Sequence, residues 1–266
     1  FKIVDGTLTI SPRPVTLTSE TASKVYDGTP LTKPEVTVSG DGFVKGEATA
    51  KATGSALNAG ESVTNTIEIV EGEGYKEGNY TITKLPGTLT VTASKKAIVI
   101  TAASNSWMYN GSAHSDGSYK VTYDGAEITA NEEGKYILPT GDEVTAVVTG
   151  SVTNVSESPV TNTIEIEKTA AYKDSNYQIE KNEGKLSITQ VTDEVTVTIT
   201  EHSESTKYDG IEHTVTGYDV SISNPLYKET DYTFSGKAEV KGTDAGSYDM
   251  ELKAEDFTNN NTNFAN

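Results

Sequence analysis

The chain has 266 residues, 39 acidic against 21 basic side chains for a formal charge of −18, and no cysteine. That charge argues against nucleic acid and anionic membrane surfaces as partners, and the missing cysteine excludes disulfides, thiolate nucleophiles and cysteine metal clusters. Runs rich in Thr, Val, Ile and Tyr between Gly, Asn, Asp and Ser clusters, without a sustained 3.6-residue apolar period, predict an all-β protein, and no apolar run is long enough for a membrane span or a signal segment.

In chain order, Gly6-Thr7-Leu8-Thr9-Ile10 has the form of a strand that closes a β unit, and residues 1–12 are read as a closing strand left from an upstream repeat. Ser11-Pro12-Arg13-Pro14 is a short, stiff linker. Then comes Lys24-Val25-Tyr26-Asp27-Gly28-Thr29, a tyrosine before an Asp-Gly turn, which returns as Tyr109-Asn110-Gly111-Ser112 and as Lys207-Tyr208-Asp209-Gly210. Gly takes positive φ without a steric cost, so each cluster reverses the chain. The tyrosine is expected to cover the end of a small core with its hydroxyl in water.

Further marks follow each turn. Thr53-Gly54, Thr149-Gly150 and Ser235-Gly236 precede the alternating runs Asn65-Thr66-Ile67-Glu68-Ile69, Asn162-Thr163-Ile164-Glu165-Ile166 and Met250-Glu251-Leu252. Next come Asn79-Tyr80-Thr81-Ile82, Asn176-Tyr177-Gln178-Ile179 and Asn263-Phe264, and then the closing runs Gly87-Thr88-Leu89-Thr90-Val91 and Gly184-Lys185-Leu186-Ser187-Ile188. The step from Tyr26 to Asn79 is 53 residues, from Tyr109 to Asn176 is 67, and from Tyr208 to Asn263 is 55. Ordered marks at near-constant spacing mean tandem units. The longer second unit carries an insertion placed at Glu127–Leu138, with Asn131-Glu132-Glu133-Gly134 as its turn.

The units are thus residues 13–94, 95–191 and 192–266, joined by Ala93–Lys96 and Gln190–Glu194. Short linkers predict an elongated rod of domains. The third unit contains no closing run, and an open sheet edge recruits a strand, so strand exchange with a neighbouring copy is expected.

With these marks in hand, the chain resembles the bacterial extracellular MBG or YDG repeats of surface adhesins. Tyr26-Asp27-Gly28, Thr53-Gly54, Asn79-Tyr80-Thr81-Ile82 and Gly87-Thr88-Leu89-Thr90-Val91 carry the likeness, with their counterparts in the other units. Asn110 in place of Asp and the insertion depart from it in the second unit. The resemblance implies small β-rich domains on a bacterial cell surface, cell-wall attached or secreted, with no catalytic residues and no cofactor. An immunoglobulin-like sandwich is expected, with a β-grasp as the alternative. A β-grasp needs a helix, and the only segment offered, Lys45–Ala56, is rich in Thr and Gly.

Few residues suggest chemistry. His114, His202 and His213 lack the HxxxH or HExxH spacing of a zinc site, although a hairpin would bring the last two together, and no GxSxG elbow occurs. Asp193-Glu194 at a joint is the best calcium candidate, short of a full ligand loop. Trp107 and Tyr109 share a face under strand alternation and are the candidate ligand-binding residues, a stacking platform for a sugar ring. The recurring turn, with Asn110 in place of Asp27, fits a backbone turn that both Asn and Asp can make rather than a needed charge. The expected function is a non-catalytic stalk or adhesin spacer; the alternative is a module that binds a host glycan or protein through its loops or the Trp107/Tyr109 face.

Overall fold

A computed structural model describes residues 1–167 and 172–265. The first repeat forms β1 (Arg13–Ser19), β2 (Ala22–Val25), β3 (Leu31–Thr32), β4 (Val36–Gly40), β5 (Ala48–Ala52), β6 (Ser55–Ala56), β7 (Ser62–Asn65), β8 (Ile67–Glu71), β9 (Tyr80–Leu85) and β10 (Gly87–Thr92). The second forms β11 (Ala97–Ala102), β12 (Asn105–Met108), β13 (Tyr119–Tyr123), β14 (Ala126–Ile128), β15 (Tyr136–Ile137), β16 (Glu143–Thr149), β17 (Val160–Glu167), β18 (Gln178–Asn182) and β19 (Gly184–Thr189). The third forms β20 (Val197–Glu201), β21 (His213–Thr216), β22 (Tyr218–Ile222), β23 (Tyr232–Phe234), β24 (Glu239–Gly242) and β25 (Phe257–Asn259). The fold is all-β. Among the described residues the only helical pieces are single 3-10 turns, and Lys45–Ala56 holds β5 and β6. Without a helix on a sheet the β-grasp alternative fails, and the units are sandwich-type.

By its contacts the chain divides into two compact units, and the division passes through the second repeat. The first comprises Phe1–Thr101, Tyr119–Val147 and Ile164–Asn182; the second comprises Ala102–Ser118, Val148–Thr163 and Glu183–Asn266.

In the first unit β1 pairs antiparallel with β4 and parallel with β9, while β5 pairs antiparallel with β8. Alternation in β1 turns Val15 and Leu17 inward, where they meet Ile67 of β8 and Tyr80 of β9 in a dry cluster. Strand β10 lies between β2, parallel to it, and β7, antiparallel, with Leu89 and Val91 buried. Sheet order β13-β11-β18 repeats β4-β1-β9, with β14 added at its edge. The insertion takes the form of β14, β15 and an intervening turn, in which Asn131 Oδ1 accepts the N–H groups of Glu133 (3.0 Å) and Lys135 (2.9 Å).

In the second unit β19 lies between β12, parallel, and β17, antiparallel, as β10 lies between β2 and β7. Pairs β20–β22, β21–β24 and β23–β25 are antiparallel. One core cluster holds Val152, Leu186 and Ile188; another holds Val191, Tyr227 and Phe264.

Two buried asparagines fix the corner before each closing strand. Asn65, fully buried, accepts the Gly54 N–H (3.1 Å) and donates to the carbonyls of Glu20 (3.2 Å) and Lys33 (2.9 Å). Its counterpart Asn162 donates to the carbonyls of Ala103 (3.0 Å) and Asp116 (2.8 Å).

Residues 1–12 form no strand and all are exposed, which differs from the closing strand expected there. The reason is local. The first repeat already holds β10 between β2 and β7, so no slot of that kind is open to them.

Candidate functional site

The recurring turn is built alike three times. Asp27 Oδ1 accepts the Thr29 N–H (2.9 Å), Asn110 Oδ1 the Ser112 N–H (2.9 Å) and Asp209 Oδ1 the Ile211 N–H (3.1 Å). The following glycines sit at φ of 84°, 79° and 80°, the left-handed region. An oxygen two residues before an amide is what the turn needs, and Asn supplies it as well as Asp. Charge enters only as a local extra. The Lys24 ammonium, 2.7 Å from Asp27, together with Thr29, holds the Asp27 carboxyl down to about 2. Asn110 and Asp209 instead meet the Nε2 atoms of His114 and His213, each at 3.0 Å.

What the turn does lies outside its own repeat. Within the first compact unit Tyr26 is buried, and its hydroxyl donates to Asp142 Oδ2 of the second repeat (2.8 Å). The Tyr177 hydroxyl donates to the same oxygen and is bonded to Thr140 Oγ1. The Tyr26 ring meets Tyr177 edge to face at 5.5 Å, Tyr123 meets Tyr177 at 6.3 Å, and Tyr172 stacks on it at 6.0 Å. Burial, reinforced by the Asp142 carboxylate that accepts its bond, pushes the Tyr26 phenol up to about 12, so it is a neutral donor at physiological pH. Burial pushes the Tyr177 phenol up further. The hydroxyl expected in water is therefore bonded to the next repeat.

The glycine and an asparagine complete this joint. A Cβ on Gly28 would stand 2.0 Å from the Thr140 carbonyl oxygen, so the turn abuts the second repeat with no room for a side chain. Asn176 of the second repeat is fully buried; its Oδ1 accepts the Ala59 N–H (2.7 Å) and its Nδ2 donates to Asn58 Oδ1 (3.1 Å). Its carbonyl accepts the Ser94 N–H (2.8 Å).

The second compact unit contains the same joint one repeat later. Tyr109 meets Phe264 edge to face at 5.7 Å, and a Cβ on Gly111 would come 3.1 Å from Leu226 Cδ2. Asn263 Oδ1 accepts the Val155 N–H (2.8 Å), Asn263 Nδ2 donates to Asn154 Oδ1 (3.0 Å), and its carbonyl accepts the Val191 N–H (2.9 Å). Because Phe264 has no hydroxyl, no carboxylate is needed and the aromatic contact is dry, with Tyr227 on the same ring at 5.3 Å. Two copies of these residues meet no further repeat of this chain. Tyr208, the third turn tyrosine, is 70 % exposed, and Asn79, the first of the Asn-aromatic pairs, is exposed. Burial of these residues thus comes from the neighbouring repeat.

Of the residues singled out in sequence, Trp107 stacks on His114 (5.0 Å, 15° between planes), and with Tyr109 it packs on Val152, Leu186 and Ile188. Both rings therefore lean on the chain's own side chains. His202 bonds to the Thr216 carbonyl (2.9 Å) and to Asp219 (3.3 Å), which raise its pKa in that order, and His213 bonds to Asp209; the hairpin does not join the two histidines. Asp193 and Glu194 are both exposed, and among the described residues no three His, Asp or Glu side chains gather as a metal ion requires. No helix among them is long and apolar enough to cross a membrane.

Sequence reasoning missed Thr140, Asp142 and the Asn58 and Asn154 turns. A signal for the turns exists. Asn-x-x-Glu recurs as Asn58–Glu61 and Asn154–Glu157, and in each the Asn Nδ2 donates to the Glu Oε1, at 2.9 and 3.2 Å. No curated protein and no solved structure matches the chain. Residues 11–88 match the family described as YDG domain, a span that holds the Tyr26-Asp27-Gly28 turn and the Asn79-Tyr80 pair.

Proposed function

We propose that this chain is a non-catalytic repeat segment of a bacterial cell-surface protein, acting outside the cell as a stalk or adhesin spacer built from the units 13–94, 95–191 and 192–266. One observation carries the reading. The same set of contacts, an aromatic pair, an abutting glycine and an asparagine that clasps a turn amide, occurs at both junctions between repeats. A binding site needs to be built once, whereas a spacer needs every joint fixed, because its work is to hold neighbouring repeats in one relation. The YDG match over the first repeat, the cysteine-free composition and the acidic, solvating surface support the same reading. Neither an enzyme activity nor a cofactor is part of it, and nucleic acid and membrane are not partners of this segment.

A glycan array probed with the fragment tests this against the binding-module alternative. The expected result is silence across sugar classes. A saturable signal for one class, lost in Trp107→Ala or Tyr109→Ala, would transfer the function to that face and to a host glycan as partner.

A further inference from the structure

Asn110-Gly111 is the only Asn-Gly step in the chain. Its reacting groups are the side-chain carbonyl carbon of Asn110 and the amide nitrogen of Gly111, which together can close a five-membered ring. Both residues are exposed, so water reaches them. Among the described residues no hydrogen bond holds the Gly111 N–H, and glycine has no Cβ to hinder the approach of that nitrogen.

The carbonyl is prepared from the other side. Asn110 Oδ1 accepts the Ser112 N–H at 2.9 Å and stands 3.0 Å from His114 Nε2. A backbone amide can only donate, which fixes this atom as the oxygen, and an amide oxygen can only accept, so His114 carries its hydrogen on Nε2. The histidine is held in place twice. Its ring stacks on Trp107 at 5.0 Å, and its backbone exchanges hydrogen bonds with Val152 at 2.9 and 3.0 Å. Two donors aimed at one carbonyl oxygen stabilise negative charge that develops there, which is the arrangement of an oxyanion hole.

We propose that Asn110 is a self-modification site, at which the folded chain loses ammonia and becomes aspartyl or isoaspartyl. Solvent base takes the Gly111 N–H proton and the nitrogen attacks Asn110 Cγ, while the carbonyl electron pair moves onto Oδ1 between the Ser112 and His114 donors. As that pair returns, the Cγ–Nδ2 bond breaks and Nδ2 leaves as ammonia with a proton from water. A cyclic imide remains, and water opens it at either carbonyl. The sum is one water consumed and one ammonia released, with nothing oxidised or reduced. The aspartyl product suits the turn, because Asp209 of the third repeat makes the same pair of contacts, to the Ile211 N–H at 3.1 Å and to His213 Nε2 at 3.0 Å. The isoaspartyl product does not. It lengthens the backbone by a methylene immediately before Gly111, where even a Cβ would come 3.1 Å from Leu226 Cδ2, and so loosens the joint that Tyr109 makes with Leu226 and Phe264.

The full chain is incubated in neutral buffer, and peptide mapping by mass spectrometry follows every asparagine, with chromatography separating aspartyl from isoaspartyl forms. The expected result is conversion at Asn110 ahead of the other asparagines, slowed about two- to tenfold in His114→Phe, the rate equivalent of one net hydrogen bond. Phenylalanine keeps a ring against Trp107, and an unchanged melting temperature checks the fold of the variant. Asp209→Asn supplies a second reading, because it sets an Asn-Gly step between the same kinds of donors; it should convert as well, and His213→Phe should slow it to the same degree. The isoaspartyl form should melt below the parent, whereas Asn110→Asp should melt with it. No conversion at Asn110, an equal rate when the histidine is removed from either turn, or an isoaspartyl form that melts with the parent would overturn the proposal.

Discussion

Gly28→Ala should destabilise the protein by about 2–5 kcal/mol, whereas Gly210→Ala, in the same turn of the third repeat, should cost only about 1–2 kcal/mol. Both glycines hold left-handed backbone, at φ of 84° and 80°, so both variants bear the same intrinsic strain. The difference is the neighbour. A methyl on Gly28 meets the Thr140 carbonyl at 2.0 Å, backbone that cannot rotate away, while at Gly210 the nearest atom is the Tyr208 hydroxyl at 4.0 Å. The overlap forces the second repeat off the first and carries the Tyr26 and Asn176 contacts with it. Urea unfolding followed by circular dichroism, with the slope compared to confirm that each variant unfolds as the parent does, measures the pair. Gly111→Ala should fall between them, because its contact at 3.1 Å is the end of the Leu226 side chain, which can give.

Asn65→Ala should cost about 3–5 kcal/mol, because one buried amide satisfies three backbone groups and its loss strands the Gly54 N–H and the carbonyls of Glu20 and Lys33. Asn65→Asp separates hydrogen bonding from size. The carboxylate still accepts from Gly54 but turns a charge toward two carbonyl oxygens, so burial and those dipoles raise its pKa above the unfolded value of about 3.9. A group whose folded pKa is raised is fully accommodated below its unfolded pKa, and stability is lost as pH rises through the folded pKa. The variant should therefore recover relative to the parent on acidification toward pH 4, where Asn65→Ala stays at a constant deficit. Melting temperatures across pH 4–8 read both behaviours.

Much of the fold was legible because it is local. Alternation marks Val15 and Leu17, Leu89 and Val91; Asp-Gly and Asn-Gly mark the three turns; Asn131–Gly134 marks the turn of the insertion. Even the indifference of the turn to charge could be read from Asn110. The joint could not. Tyr26 and Asp142 are 116 residues apart, and neither bears a period or spacing that ties it to the other. The parallel pairings of β1 with β9 and of β2 with β10 are likewise long-range and leave no trace in alternation, which fixes a face but not a partner. Alternation puts Asn65 and Asn162 on the face of Ile67 and Ile164, but it does not show which backbone groups their amides bind, because those lie on other segments. Trp107 drew notice as the only tryptophan, yet rarity carries no geometry, and its indole lies against His114. Tyr26 drew notice as part of a local clasp, and the residue was right while its partner was a repeat away.

The account stands on the tyrosine of the recurring turn acting across the junction, and a double-mutant cycle between Tyr26→Phe and Asp142→Ala tests that most directly. The cycle keeps the Tyr26 ring in place and removes the separate bond from Tyr177 to the same carboxylate through the single-variant corners. A coupling of about 1.5–3 kcal/mol is predicted, the range of a buried hydrogen bond to a charged acceptor. Additive effects, with coupling no larger than about 0.3–0.5 kcal/mol, would mean that Tyr26 only covers its own repeat and would contradict the joint.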